Sequence, residues 1–393
     1  MKRILLALLI ILGLLFGIII LLQKRGLNIN QEGQPTGSLP DTGNTQFAPN
    51  PQVATATQIT QEDLSNSDRV TFGVLRDEAP ISYAIQNNTL LMATVDGKIL
   101  RSKNNKEEKI AELDNETILS ASFSTSGTWA IVRYGEAAAA KVAALDMTNG
   151  VWTPFPLNSI SAQFSPNKPV AAVFGERDGK LGLWLIDFRG KKPSLSLATN
   201  LNALDVETDW IDDDTVILWS KGANKANGNI WTYDAKNGLR LIKHSIPGLS
   251  VKAFGNGYYA QFSSGGIGKR GGNLAIFDKF GNKITDLYTL TLPEKCAPWQ
   301  PSTDANASDT AAIICANPKN QDLLQSQFLP EAYQNGQFQG NDEFFMVSLP
   351  SLSSKIVYRN EFAPVDVWNL SSEKSSLLMT DAYSGKLFGL ILP

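Results

Sequence analysis

The chain has 393 residues, enough for one large domain or two ordinary ones. Its formal net charge is −3. The first 25 residues hold Lys2, Arg3, Lys24 and Arg25 and no acid, so of 35 bases 31 remain for the rest of the chain against 38 acids, a balance of −7. That argues against nucleic acid as a partner, because phosphate binding needs a basic footprint. His244 is the single histidine, which removes most zinc sites and leaves no choice of base for a Ser-His-Asp triad.

Residues 4–22, ILLALLIILGLLFGIIILL, are nineteen apolar or glycine positions in a row. About twenty residues at 1.5 Å rise cross the hydrocarbon core of a bilayer. A cleaved signal peptide has a shorter apolar region that ends in a small-x-small site, whereas here Gln23-Lys24-Arg25 follows. Residues 1–25 therefore read as an N-terminal transmembrane helix, a single-pass anchor in the cytoplasmic membrane. The flanking charges differ little and lean toward the N-terminus inside and an extracytoplasmic body. Residues 26–68 are rich in Gln, Asn, Thr, Pro, Gly and Ser and read as a disordered linker. Within it, Leu39-Pro40-Asp41-Thr42-Gly43 resembles a sortase signal. It precedes no apolar tail, and it reads as ordinary linker.

From residue 69 onward Val, Ile, Thr and aromatics in short runs predict strands and no long helix. Residues 159–192 show the unit: a strand ending in Phe164, a Ser-Pro turn, a strand over 170–174, a polar loop, a strand over 181–186, and an Asp-x-x-Gly turn into a fourth strand. Aligning the aromatic that closes each first strand gives Tyr83, Phe123, Phe164, Trp210, Phe254, Trp299 and Trp368. Spacings of about 40–45, with one longer interval that holds an insertion near 318–342, are the signature of a β-propeller. Asp146 with Gly150, Asp187 with Gly190, Asp234 with Gly238 and Asp278 with Gly281 mark the turns after the third strands. The last repeat offers only three strands, and the orphan strand 69–75 supplies its fourth. The expectation is an all-β, seven-bladed propeller of four-stranded antiparallel blades over 69–393, or a six-bladed one if the repeat around Tyr83 is not a full blade.

Ser165-Pro166, the run from Trp184 to Gly190 and the run from Trp231 to Gly238 resemble the TolB-type bacterial propellers. Cys296-x-x-Trp299, Cys315-Ala-x-Pro318 and Leu329-Pro330-Glu331-x-Tyr333-x-x-Gly336 are similar to membrane-anchored TolB-like proteins of small-genome bacteria. The resemblance implies scaffold duty in an envelope complex.

Cys296 and Cys315 fall on the first and second strands of one blade, equidistant from a turn at 302–309. Residues so placed face each other across a hairpin at about 4.5 Å between Cα atoms, near disulfide range. A disulfide follows as the expectation, and it fits an oxidising compartment.

No Gly-x-Ser-x-Gly elbow is present, and 265–272, GGIGKRGG, leads into a strand rather than the helix of a P-loop. Asp212-Asp213-Asp214 lacks the ligand spacing of a calcium loop. No catalytic residue, cofactor or metal site emerges. The loops joining second to third strands are long and share one face, where exposed loops on a rigid scaffold carry binding. Arg177, Lys180, Lys221, Lys225, Lys269 and Arg270, with Phe328, Tyr333 and Phe338 as aromatic anchors, form the candidate partner-binding rim. The sequence thus reads as a membrane-tethered, non-catalytic binding or scaffold module for a protein or a cell-envelope polymer. The alternatives are a hydrolase or lyase acting on envelope polysaccharide or peptide in the central channel, and a purely structural brace.

Overall fold

The computed structural model describes residues 70–392 apart from 87, 104–105, 300–311, 350, 361–363 and 374–375. The expected anchor at 4–22, the linker at 26–68 and the turn at 302–309 lie outside the described residues. Among the described residues no helix is long and apolar enough to cross a membrane.

The described chain is all-β. Five sheets are four-stranded and antiparallel, and a sixth has seven strands. The seven-stranded sheet is two such units sharing one strand. Val151–Phe164 pairs through its first half with Lys141–Asp146 and through its second half with Val170–Arg177. The repeat around Tyr83 is complete, with strands Ser82–Gln86, Thr89–Ala93, Lys98–Lys103 and Lys106–Glu112 in order. The orphan strand, seen at Thr71–Arg76, pairs with Leu387–Ile391 and completes the C-terminal sheet as its outer strand.

The sequence pattern explains why the sheets stack. The second strand of each unit is buried on both faces and so reads as a continuous apolar run. In Val170–Arg177, Ala171 and Val173 pack toward Ile131, Val142 and Ala144 of the preceding unit. Ala172 and Phe174, on the opposite face, pack with Val206, Trp210, Val216 and Leu218 of the next. Neither face could stay in water, since burying one large apolar side chain is worth about 1.5–3 kcal/mol. Outer strands such as Ser194–Asn200 have only exposed and half-buried positions instead. Leu90, Met92 and Leu100 of the first unit share a core with Leu378 and Leu387 of the last.

Several local expectations need correction. Tyr83 and Trp368 stand near the starts of their strands, Ser82–Gln86 and Val367–Glu373, rather than at the ends. The Asp turns form as expected: Asp146, Asp187, Asp234 and Asp278 each accept backbone N–H groups from residues two to four further on. Gly150, Gly238 and Gly281 take positive φ there, but Gly190 does not. The expected loop at 175–180 is a two-residue turn, because its strands run on to Arg177 and resume at Lys180. Asp178 (φ 54°) and Gly179 (φ 72°) supply the left-handed geometry that such a tight hairpin needs.

Candidate partner-binding rim

Three loops from three successive units converge: 221–226, 265–271 and the insertion at 319–341. Asn224 is their hub and is almost wholly buried. It sits in a tight turn closed by reciprocal hydrogen bonds between Ala223 and Ala226. Its backbone N–H donates to a Glu331 carboxylate oxygen, and its side-chain amide donates to the Lys269 carbonyl. Its own carbonyl accepts from the Gly268 N–H at 2.8 Å. Gly271 N–H donates to the Gln327 carbonyl at 2.8 Å, and the Arg270 guanidinium donates to the Ser326 carbonyl at 3.2 Å. Within the insertion, Asn320 caps the short helix Gln321–Gln325, its side-chain oxygen accepting from Leu323 N–H.

This packing brings Lys225, Lys269, Arg270 and Phe328 together as exposed side chains around one hub. The Arg270 guanidinium lies over the Phe328 ring, 5.0 Å from its centroid. The other expected rim residues do not join this group. Lys221, at the start of the first loop, is held by Glu207 at 2.7 Å. Arg177 pairs with the neighbouring Asp178 at 3.2 Å and, with Tyr134, Lys141, Phe155 and Glu176, lines a separate open concavity of about 510 Å³. Lys180 stands exposed beside that turn. Tyr333 and Phe338 are not surface anchors. Both are buried in the core that joins the insertion to its supporting sheets, because the insertion folds inward on its apolar residues Leu324, Leu329, Tyr333 and Phe338.

What fixes the insertion is a buried charge cluster that the sequence reading missed. The Lys295 ammonium donates to Asp342 at 2.7 Å and to Asp366 at 2.8 Å, and all three side chains are at most 2 % exposed. The Tyr333 hydroxyl lies 2.8 Å from both Asp366 Oδ1 and the Val367 carbonyl and shares its one proton between these acceptors. Val367 N–H donates to Asp342 Oδ2 at 2.7 Å, and Asp366 N–H to Asp381 Oδ1 at 2.9 Å. A Cβ on Gly340 would lie 2.8 Å from Asp342 Oδ1 and 3.2 Å from Lys295 Nζ, so any larger residue there would push on the cluster. Burial pushes the Asp342 carboxyl up to about 6 against the pull of Lys295, and burial beside the two aspartates raises the Tyr333 phenol far above its usual range. Only Asp366, between Val365 and Val367, stands inside an apolar stretch; Lys295 follows Glu294 and Asp342 lies between Asn341 and Glu343, so the sequence marks neither as buried.

A second set lies on the first strands. Burial raises Asp209 to about 6, although its oxygens accept from Trp210 N–H at 2.8 Å and Ala253 N–H at 3.1 Å. Burial lowers Lys252 to about 8, and its ammonium donates to the Leu370 carbonyl at 2.7 Å. The expected disulfide is present. Cys296 and Cys315 are directly opposite in register, both are buried, and their Cα atoms are 4.1 Å apart. The Asp212-Asp213-Asp214 turn is tied to neighbouring side chains: Asp212 to Lys279 at 2.9 Å, Asp213 to Asn167, and Asp214 to Lys168. Among the described residues no three His, Cys, Asp or Glu side chains are grouped to hold a metal. The sealed Lys295 cluster admits no substrate. The chemistry on offer at the rim is recognition by charge, hydrogen bonding and apolar contact.

Stacked four-stranded meanders, with the N-terminal strand completing the C-terminal sheet, define a β-propeller. No protein-family model matches the sequence, and no curated protein matches it. Solved structures do. The tricorn protease is similar at a TM-score of 0.51 and 10% identity over 83% of this chain and 34% of its own. The Swd1 β-propeller domain of Myceliophteria thermophila is similar at 0.47 and 11% identity, over 82% of this chain and 100% of its own. TolB of Acinetobacter baumannii is similar at 0.39 and 15% identity, over 79% of this chain and 62% of its own. At such identities the likeness concerns the fold alone.

Proposed function

We propose that this chain is a membrane-tethered, extracytoplasmic propeller that acts as a non-catalytic scaffold, capturing a protein or cell-envelope partner on the rim around Asn224. The convergence of three loops from three units carries this reading. Long loops usually stay mobile, whereas these are tied to one another and to a buried charge cluster. They hold Lys225, Lys269, Arg270 and Phe328 in place before a partner arrives, which lowers the ordering cost of binding.

We read the sheets as seven blades in a closed ring. The first strands support this, because polar side chains stitch each to a neighbour. Ser82 Oγ accepts from Ala121 N–H at 2.9 Å, and Ser122 Oγ from Phe164 N–H at 3.0 Å. Ser161 and Thr208 hydroxyls meet at 3.1 Å, and Asp209 reaches Ala253. Ser372 donates to the Pro298 carbonyl, and the Tyr83 hydroxyl donates to the Asn369 carbonyl at 2.5 Å, joining the first unit to the last. The extracytoplasmic address rests on the apolar run at 4–22 and on the disulfide, since disulfides persist in oxidising compartments. Strand polarity fits a tether as well. Thr71 pairs with Ile391 and Arg76 with Leu387, so residue 70 leaves the C-terminal sheet at the end opposite its 381–386 turn.

The test is site-specific photocrosslinking in intact cells from position 225 or 328, with position 241 on an outer strand as control. Adducts from the first two positions and none from the third are expected. Identical patterns from all three would refute a rim-specific scaffold.

A further inference from the structure

We propose that the rim around Asn224 takes an acidic segment of a partner protein carrying an exposed aromatic or aliphatic side chain. This rests on the reading of the rim as a partner site and names the chemistry of the partner. The body of the chain is acidic, with 38 acids against 31 bases beyond residue 25. An acidic partner is repelled by such a body except where the local sign is reversed. The rim is such a place. Lys225 stands at the tip of the 223–226 turn, and Lys269 lies next to it, because the Lys269 carbonyl is bound by the Asn224 amide. Arg270 follows and spends one N–H on Ser326, so the rest of its planar fork is open to a carboxylate. Two acids belong to these loops: Glu331, half-buried and accepting from the Asn224 N–H, and the exposed Asp322; the three exposed cations Lys225, Lys269 and Arg270 outnumber them.

Apolar surface accompanies the cations. Ile267 is 61% exposed, Leu323 45% and Phe328 44%. Arg270 over the Phe328 ring holds guanidinium and aromatic face side by side, so a carboxylate and an apolar side chain can be met together. A desolvated aromatic beside an arginine is the composition that dominates binding energy at protein interfaces. An anionic membrane would answer to the same charges. Strand polarity disfavours it, because residue 70 leaves the C-terminal sheet at the end opposite that sheet's 381–386 turn, which joins its second and third strands.

The experiment uses the full chain in nanodiscs of neutral lipid. The probe is a fluorescein-labelled twelve-residue peptide alternating Glu and Phe with Gly, and peptides with Gln or Lys in place of Glu are controls. Binding is read by anisotropy at low and moderate salt. The acidic peptide should bind at least tenfold tighter than the Gln peptide, the Lys peptide should not bind, and salt should weaken the complex. Lys225→Glu, Lys269→Glu and Arg270→Glu together should abolish the preference, and Phe328→Ala should weaken binding severalfold, both with an unchanged melting temperature. No preference for the acidic peptide, or equal binding by the triple variant, overturns the proposal. Binding of the chain to phosphatidylglycerol vesicles that the triple variant abolishes, without peptide binding, also overturns it, in favour of a membrane surface. Crosslinking from position 225 separates the two levels. Adducts without acidic-peptide binding would leave the rim a partner site and remove the acidic class, while loss of both would remove the rim itself.

Discussion

Replacing Lys295 by methionine probes the device that holds the insertion in place. The substitution keeps the unbranched stem of the side chain, one atom shorter, and deletes the charged end. It leaves Asp342 and Asp366 facing each other with at most 2 % exposure and no cation. Removing one partner of a buried pair costs about 3–5 kcal/mol, because the remaining charge stays buried and uncompensated. Here one ammonium serves two carboxylates, which pushes the cost up. Val367 N–H and the Tyr333 hydroxyl still donate to them, which pulls it down. A loss of about 4 kcal/mol is expected, a large part of the roughly 5–15 kcal/mol that stabilises a typical domain. Urea unfolding of the full chain in detergent, followed by tryptophan fluorescence, measures it as a fall in midpoint. Adding Asp342→Asn and Asp366→Asn to Lys295→Met should recover at least half of the loss, because neutral amides no longer repel. If Lys295→Met costs under about 1 kcal/mol, or if the triple variant recovers nothing, the cluster does not act through its charges.

The buried carboxylates also set a pH dependence. Asp209 and Asp342 titrate near 6 in the fold against an ordinary value of 3.8, so the folded state holds their protons more tightly. Their contribution is fully present below about 3.8 and is lost as pH rises through 6. Cooling-corrected melts should therefore show the protein more stable at pH 5 than at pH 7, by about 1 kcal/mol for each carboxylate. Asp209→Asn with Asp342→Asn should flatten that slope. The exposed acids held down by partners, such as Asp187 beside Arg189, act in the opposite sense but only below their ordinary range, outside this window. Reducing the Cys296–Cys315 bridge should cost about 3 kcal/mol, the loop-closure value for a separation of 19 residues. Alkylation with and without reductant, followed by mass spectrometry, checks it. Free labelling of both thiols in unreduced, denatured protein would remove the bridge and with it one argument for the extracytoplasmic address.

Much of the fold was legible because strand physics is local. The strand read at 181–186 lies within one residue of the observed Lys180–Asp187 at each end, since an apolar run bounded by turn residues has few other solutions. The Asp turns and the cysteine register followed from side chains bonding their own backbone and from symmetry about a hairpin. The fourth strand of the last sheet followed from a count of strands. The errors share one cause. Tyr83 and Trp368 were placed by spacing alone, and Tyr333 and Phe338 were put on the surface because they lie in an insertion rich in polar residues. Sequence spacing does not say which way a long loop folds, and apolar atoms within it are as free to turn inward as those of a strand.

The sequence by itself determined the repeat, the strand class, the acidic body and the pairing of the two cysteines, because each depends on neighbours in the chain. Only the tertiary structure decided which cations stand together. Lys225, Lys269 and Arg270 meet at one aromatic because Asn224 binds loops from three units, whereas Arg177 and Lys221 are spent on nearby carboxylates. It also decided that Lys295, Asp342 and Asp366 would be buried together, up to 71 positions apart in the chain. Long-range electrostatics depends on distance in space, and nothing local in the sequence encodes that distance.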